Sequence, residues 1–152
     1  MASSTIGAII ARYNALTFAT KPSKLWLGPD GVPLRDGTTT VSLPTVELED
    51  EGTTVEYDFE ENPLETTNFT FTIRAVTLAA ADTIASGLRH DGGAITAGAG
   101  FDFCTLTITG QTSKEVVRLS ERRSRVSDVR DPEGKPVHQI EMRYRAQCQR
   151  TA

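Results

Sequence analysis

Residues 66–93 read TTNFTFTIRAVTLAAADTIASGLRHDGG, and this stretch decides the fold. Phe69, Phe71, Ile73 and Ala75 fall at period two, so all four point to one side of a pleated strand. Thr70, Thr72 and Arg74 point to the other side. At Thr77 the period changes. Leu78, Ala81, Ile84, Ala85 and Leu88 recur at helical spacing, with Asp82, Ser86 and Arg89 on the opposite face. Thr77 is placed to cap the helix start, and Gly92 or Gly93 is expected to supply the left-handed residue that ends it. The apolar strand face and the apolar helix stripe are each other's nearest cover, which gives a helix lying on a sheet.

Upstream, Ser3 or Ser4 can cap a first helix whose stripe is Ile6, Ile9, Ile10 and Tyr13, ending near Asn14. Leu25-Trp26-Leu27 reads as a short strand closed by the turn signal Gly28-Pro29-Asp30-Gly31. Val41, Leu43, Val46 and Leu48 suggest a strand that Pro44 confines to an edge or a bulge. Glu51-Gly52 is expected to turn the chain. Val55, Tyr57 and Phe59 then alternate with Glu56, Asp58 and Glu60, a strand with one wet, acidic face.

Downstream, the glycine-rich residues 92–100 read as a loop. Phe101, Phe103, Cys104, Leu106 and Ile108 follow as a strand whose apolar phase shifts near Phe103. Val116, Val117 and Leu119 begin another strand, and residues 120–130 continue it as an exposed strand or a loop. Asp131-Pro132-Glu133-Gly134-Lys135-Pro136 is a hairpin turn. In the last strand His138, Ile140, Met142, Tyr144 and Ala146 face inward, with Gln139, Glu141, Arg143 and Arg145 outward. The sum is an α+β plan: a mainly antiparallel sheet with an N-terminal helix and a second helix, about 78–90, packed on one face. One domain, 1–152, is expected, with flexible loops near 28–40, 92–100 and 120–136.

The net charge of −4 conceals an asymmetry. Residues 1–76 carry 5 Lys and Arg against 11 Asp and Glu, whereas residues 77–152 carry 11 against 9. Residues 47–65 hold nine carboxylates and no base; residues 114–130 hold six bases and three acids. The overall sign argues against a dedicated nucleic-acid binder. The split points to an acidic region of one chain meeting a basic region of another. The candidate contact pairs Glu56, Asp58, Glu60 and Glu61 with Arg118, Arg122, Arg123, Arg125 and Arg130. A surface facing DNA is the other functional reading of that arginine cluster, and the bland one is a solvated edge that discourages strand-on-strand aggregation.

No constellation of acid, base and nucleophile assembles from this sequence, so no enzyme and no catalytic residue is expected. His90-Asp91 reads as the last turn of a helix, where imidazole suits the negative end of the dipole. The glycine-rich loop follows a helix instead of feeding one, so it is no phosphate cradle. The acidic run lacks an Asp-x-Asp-x-Asp-Gly loop, and no metal or other cofactor is expected. Cys104 and Cys148 read as small half-buried thiols of a reducing compartment, the alternative being a single disulfide. No secretory signal and no membrane span are expected, since no apolar run approaches the roughly 18 residues a span needs.

Taken in order, the chain resembles the tail terminator (tail completion) proteins of long-tailed bacteriophages. The elements that carry this are IIARYNAL at 9–16, a helix ending on an Ala-Arg-aromatic element, and LPTVEL at 43–48, a strand after a proline. The acidic segment then leads through PLETTNFTFTIRA at 63–75 into the Ala-rich helix AAADTIASGL at 79–88. The closing strand IEMRYR at 140–145 carries a tyrosine near the C-terminus. The segment 26–36 and the basic stretch 114–130 depart from that pattern. The resemblance implies a virion component that forms a homo-oligomeric, hexameric ring, caps the tail tube protein and meets the neck or connector proteins. It implies a lumen that passes DNA without sequence-specific binding, a place in the virion tail or neck, and assembly in the host cytoplasm. A head-tail connector or stopper of the neck, and a stand-alone protein- or nucleic-acid-binding module, remain as alternatives.

Overall fold

The computed structural model describes residues 4–28, 35–36, 39–57, 63–92, 94–130, 134 and 136–150, with the side chains of 35–36, 39–40 and 126–130 outside the description. Its helices are α1 (Thr5–Ala15) and α2 (Leu78–His90). Its strands are β1 (Leu25–Leu27), β2 (Arg35–Asp36), β3 (Thr39–Thr40), β4 (Thr45–Tyr57), β5 (Pro63–Ala75), β6 (Thr107–Ile108), β7 (Gln111–Ser113), β8 (Val117–Arg130) and β9 (Pro136–Arg150). The main sheet runs β1-β4-β5-β9-β7-β6, with β8 also paired to β9, and β2 with β3 forms a separate ribbon. Every pair is antiparallel except β1 with β4. The architecture is α+β.

The strand-to-helix stretch folds as its periods require. Phe69, Phe71 and Ile73 of β5 sit opposite Tyr144, Met142 and Ile140 of β9, and all six are fully buried. Each such side chain contributes about 1.5–3 kcal/mol relative to exposure. Helix α2 covers β5 and β9 with Ala81, Ile84, Ala85 and Leu88. Helix α1 joins the same core through Ala8, Ile9 and Tyr13, whose ring lies 6.5 Å from that of Phe71. Phe69, Phe71, Phe101 and Tyr144 form one aromatic cluster with centroids 4.8–6.2 Å apart.

Helix boundaries differ in detail from expectation. Ser4 caps α1 and Thr77 caps α2, each accepting from a backbone N–H three residues on. The left-handed residue ending α2 is Asp91, φ 59°, and neither Gly92 nor Gly93 takes that part: Gly92 lacks a positive φ, and Gly93 lies outside the described residues. Asp91 holds the place because its carboxylate accepts from the N–H groups of Thr17 and Phe18 at 2.6 and 3.0 Å, tying the chain after α1 to the end of α2. Leu78, counted in the apolar stripe, is 42% exposed. Gly87 is buried instead, because the Phe18 ring lies where a Cβ would stand. On α1, Thr5, Ala8, Ile9 and Tyr13 are buried, and Ile6 and Ile10 flank the core half-buried.

Three expectations are corrected. Glu51-Gly52 does not turn the chain. Strand β4 runs through it, and the pairing steps from Asp50↔Phe69 to Thr53↔Thr67, one extra residue in β4. Gly52 takes φ 110° and donates its N–H to the Asp50 carboxylate at 2.9 Å, so turn chemistry becomes a bulge because β5 continues opposite. Secondly, of residues 101–108 only Thr107–Ile108 is strand. Phe103 takes φ 62° and is 52% exposed, reversing the chain between the buried Phe101 and Cys104. Thirdly, the strand expected from Val41 begins only at Thr45, after Pro44.

Residues 120–130, read as an exposed strand or loop and included in the flexible loop expected near 120–136, are strand, which corrects the loop expectation there: β8 reaches Arg130 because it pairs with β9 along its length. The turn residues 131–133 and 135 lie outside the described residues, as do 29–34 and 37–38 of the loop expected near 28–40. The loop expected near 92–100 is irregular, and its second half is held by Arg12, whose guanidinium donates to the carbonyls of Gly98, Ala99 and Gly100.

Candidate subunit interface

The long strands of the sheet end in two dissimilar edges, with the short β1 and β6 at the ends of the strand order. Strand β1 covers β4 only at Val46, Glu47 and Leu48. From Glu49 onward β4 has a neighbour on one side alone among the described residues, and that stretch is acidic. At the other flank β8 pairs, among the described residues, only with β9, and it is rich in arginine.

The pairing register explains what each arginine does. Arg118 and Arg123 sit opposite Tyr144 and Ile140, so they lie on the helix-covered face. Arg123 reaches α2, its Nη2 donating to the Asp82 carboxylate at 2.6 Å and its Nη1 to Glu121 at 2.7 Å. Arg118 lies 3.4 Å from the buried Asp102 carboxylate and 3.3 Å from Glu121. Glu121 also pairs with Arg89 of α2. These two arginines are therefore committed within the subunit. Arg122 sits opposite Glu141 and points to the polar face; Arg125 sits opposite His138; both are exposed and make no ion pair among the described residues. Arg130 closes β8 opposite Pro136.

On the acidic edge, Glu56 is exposed opposite Leu64. Asp58, Glu60 and Glu61 lie outside the described residues. Sequence reasoning missed Glu49, exposed on the same strand, which like Glu56 makes no ion pair among the described residues. Its neighbour Glu51 is occupied, accepting from Arg143 at 2.6 Å and from Thr70 at 2.9 Å. Glu47 meets Arg74 at 3.4 Å. Glu49, Glu51, Arg122 and Arg143 border a shallow cleft of about 210 Å³ on this polar face.

A second polar group lies beneath β8. The Tyr144 hydroxyl donates to Asp102 at 2.8 Å in the core, and burial pushes the phenol's pKa up, with the Asp102 charge adding to it. Asp102 thus links the aromatic cluster to Arg118. The signal that could have located this network is on α2: Asp82 and Arg89 lie two turns apart on one face, opposite in sign to Arg123 and Glu121 respectively.

A cleft of about 780 Å³ runs between α2 and the segment after α1, bordered by Phe18, Asp82, Arg89 and Arg123. Its charged groups are those already paired. Asp91 serves Thr17 and Phe18, a structural clamp for the helix end. Cys104 and Cys148 are free thiols, more deeply buried than expected, and burial pushes Cys104 up to about 11. Among the described residues no group of three His, Cys, Asp or Glu is arranged to hold a metal ion, and no helix is long and apolar enough to cross a membrane.

No family model matches the chain, and neither does any curated protein. Among solved structures, it shares its fold with a chain of one described as "Virion of native gene transfer agent (GTA) particle". The TM-score is 0.64 at 15% identity, over 96% of this chain and 95% of that one. At that identity the likeness is one of fold.

Proposed function

We propose that this protein is a structural component of a phage-like virion, a ring-forming tail terminator that caps the tail tube and joins it to the neck. The observation that carries this reading is the near end-to-end fold likeness to a chain from a gene transfer agent virion. The ordered resemblance to tail terminators supports the finer assignment. In this reading the chain is not an enzyme. Its partners are other copies of itself in a hexameric ring, the tail tube protein and the neck proteins, with DNA passing the lumen unread.

The subunit contact is heterologous, one patch meeting a different patch on the next copy. Its acidic side is Glu49 and Glu56 with Asp58, Glu60 and Glu61; its basic side is Arg122, Arg125 and Arg130, while Arg118 and Arg123 brace β8 from within. The experiment is to assemble particles without this gene product and image them by negative stain. Unjoined tails of uncontrolled length are expected. Tails of normal length on intact necks would overturn the reading, and normal tails beside capsids that lose DNA would assign the neck stopper instead.

A further inference from the structure

We propose that copies of this chain join by main-chain pairing of two strand edges, residues 49–57 of β4 on one copy and β8 on the next. The sheet then continues from subunit to subunit. This rests on the ring reading above and adds the mode of contact, a backbone ladder in place of side-chain attraction alone.

Four observations converge. Both edges carry a row of N–H and C=O groups with no strand beside them among the described residues, a template for strand addition. Their charges without an ion pair among the described residues are opposite, Glu49 and Glu56 against Arg122 and Arg125. Like charges oppose β4 on β4 and β8 on β8, so the same residues that guard each edge against itself select the unlike partner. Large apolar side chains stand bare on these two strands, Val55 at 47%, Tyr57 at 71% and Leu119 at 42% exposure, and a neighbouring strand would cover them.

Direction is the fourth. Strands β4, β5, β9 and β8 alternate in sense, so β4 and β8 run oppositely. Rotation about an axis along the strands brings β4 of one copy beside β8 of the next in antiparallel sense, the ladder geometry the sheet already uses. The stretch 49–57 supports a ladder of about 30 Å at ~3.4 Å per residue. Closing the circle covers both of these edges, leaving only the short β1 and β6 of this sheet with a single neighbour among the described residues.

The test is hydrogen–deuterium exchange on the full chain, dilute and assembled, read by peptide mass spectrometry. Amides within 49–57 and 117–125 should slow at least about tenfold on assembly, while β9 amides, paired in both states, should not change. Two variants sharpen it. Glu49→Lys with Glu56→Lys, and Arg122→Glu with Arg125→Glu, should each remain monomeric alone and should assemble when mixed, since each then offers the complement of the other. A ring whose edge amides exchange as fast as in the monomer would overturn edge pairing and leave the ring reading intact. A chain monomeric under every condition would overturn both.

Discussion

Strands β5 and β9 lie in the middle of the sheet and β4 and β8 at its flanks, and all four alternate in sequence. In the middle pair the alternation separates a dry face from a wet one. Ile73 meets Ile140 and Phe71 meets Met142 beneath the helices, while Arg74 and Gln139 bond to each other on the other side at 3.0 Å. In flanking strand β8 the alternation sends Arg118 and Arg123 to carboxylates on the helix-covered face and Arg122 to the polar face. Arg123 is bound to Asp82, whereas its neighbour Arg122 makes no ion pair among the described residues. The same periodicity specifies the fold in one place and, in the proposed assembly, an interaction surface in the other.

That contrast can be broken first at its dry end. Phe71→Ala removes a fully buried ring that meets four other aromatic rings, and should cost about 3–5 kcal/mol in denaturant unfolding. A loss no larger than that of a surface substitution would mean the core is elsewhere. Next, Asp102→Ala leaves the buried Tyr144 hydroxyl without its acceptor and should cost about 2–3 kcal/mol, against about 1 for Tyr144→Phe. Equal losses would show that Asp102 does not hold Arg118 as well.

Gly87→Ala sharpens the helix boundary. Alanine is the better helix former, yet here its methyl meets the Phe18 ring, so a net loss of about 1–2 kcal/mol is expected in thermal melts. A gain would show that Phe18 moves aside freely. The smallest effect separates the two arginines. Arg123→Ala should cost about 0.2–1 kcal/mol, its ion pair with Asp82 being 43% exposed on both sides. Arg122→Ala should leave the melting midpoint unmoved and weaken only self-association.

How much of this was legible follows the same division. Burial imposes a period on neighbouring residues, so β5, β9 and the Ala81, Ile84, Ala85 and Leu88 stripe of α2 could be read from spacing, while Leu78, Gly87 and the Asp91 cap could not. Local chemistry misled where a distant strand decided the outcome. Glu51-Gly52 has the residues of a turn, and β5 running past it makes a bulge. Phe101 and Phe103 have the spacing of a strand, and the positive φ of Phe103 turns one inward and one outward. The acidic and basic segments were visible as composition, but which charges were already satisfied was not. Arg123 finds Asp82 41 residues away, and Asp102 finds Tyr144 42 residues away. Such pairings are set by sheet register, which no local window contains.

The most direct test of the central claim, that unlike edges join identical copies into a closed ring, is sedimentation velocity of the purified chain at low and high salt. Exposed opposite charges are screened beyond about 8–10 Å at physiological ionic strength. One discrete oligomer at low salt, giving way to monomer as salt rises, is the expected result. A monomer at every salt and concentration, or a ladder of species that lengthens with concentration and never closes, would contradict it.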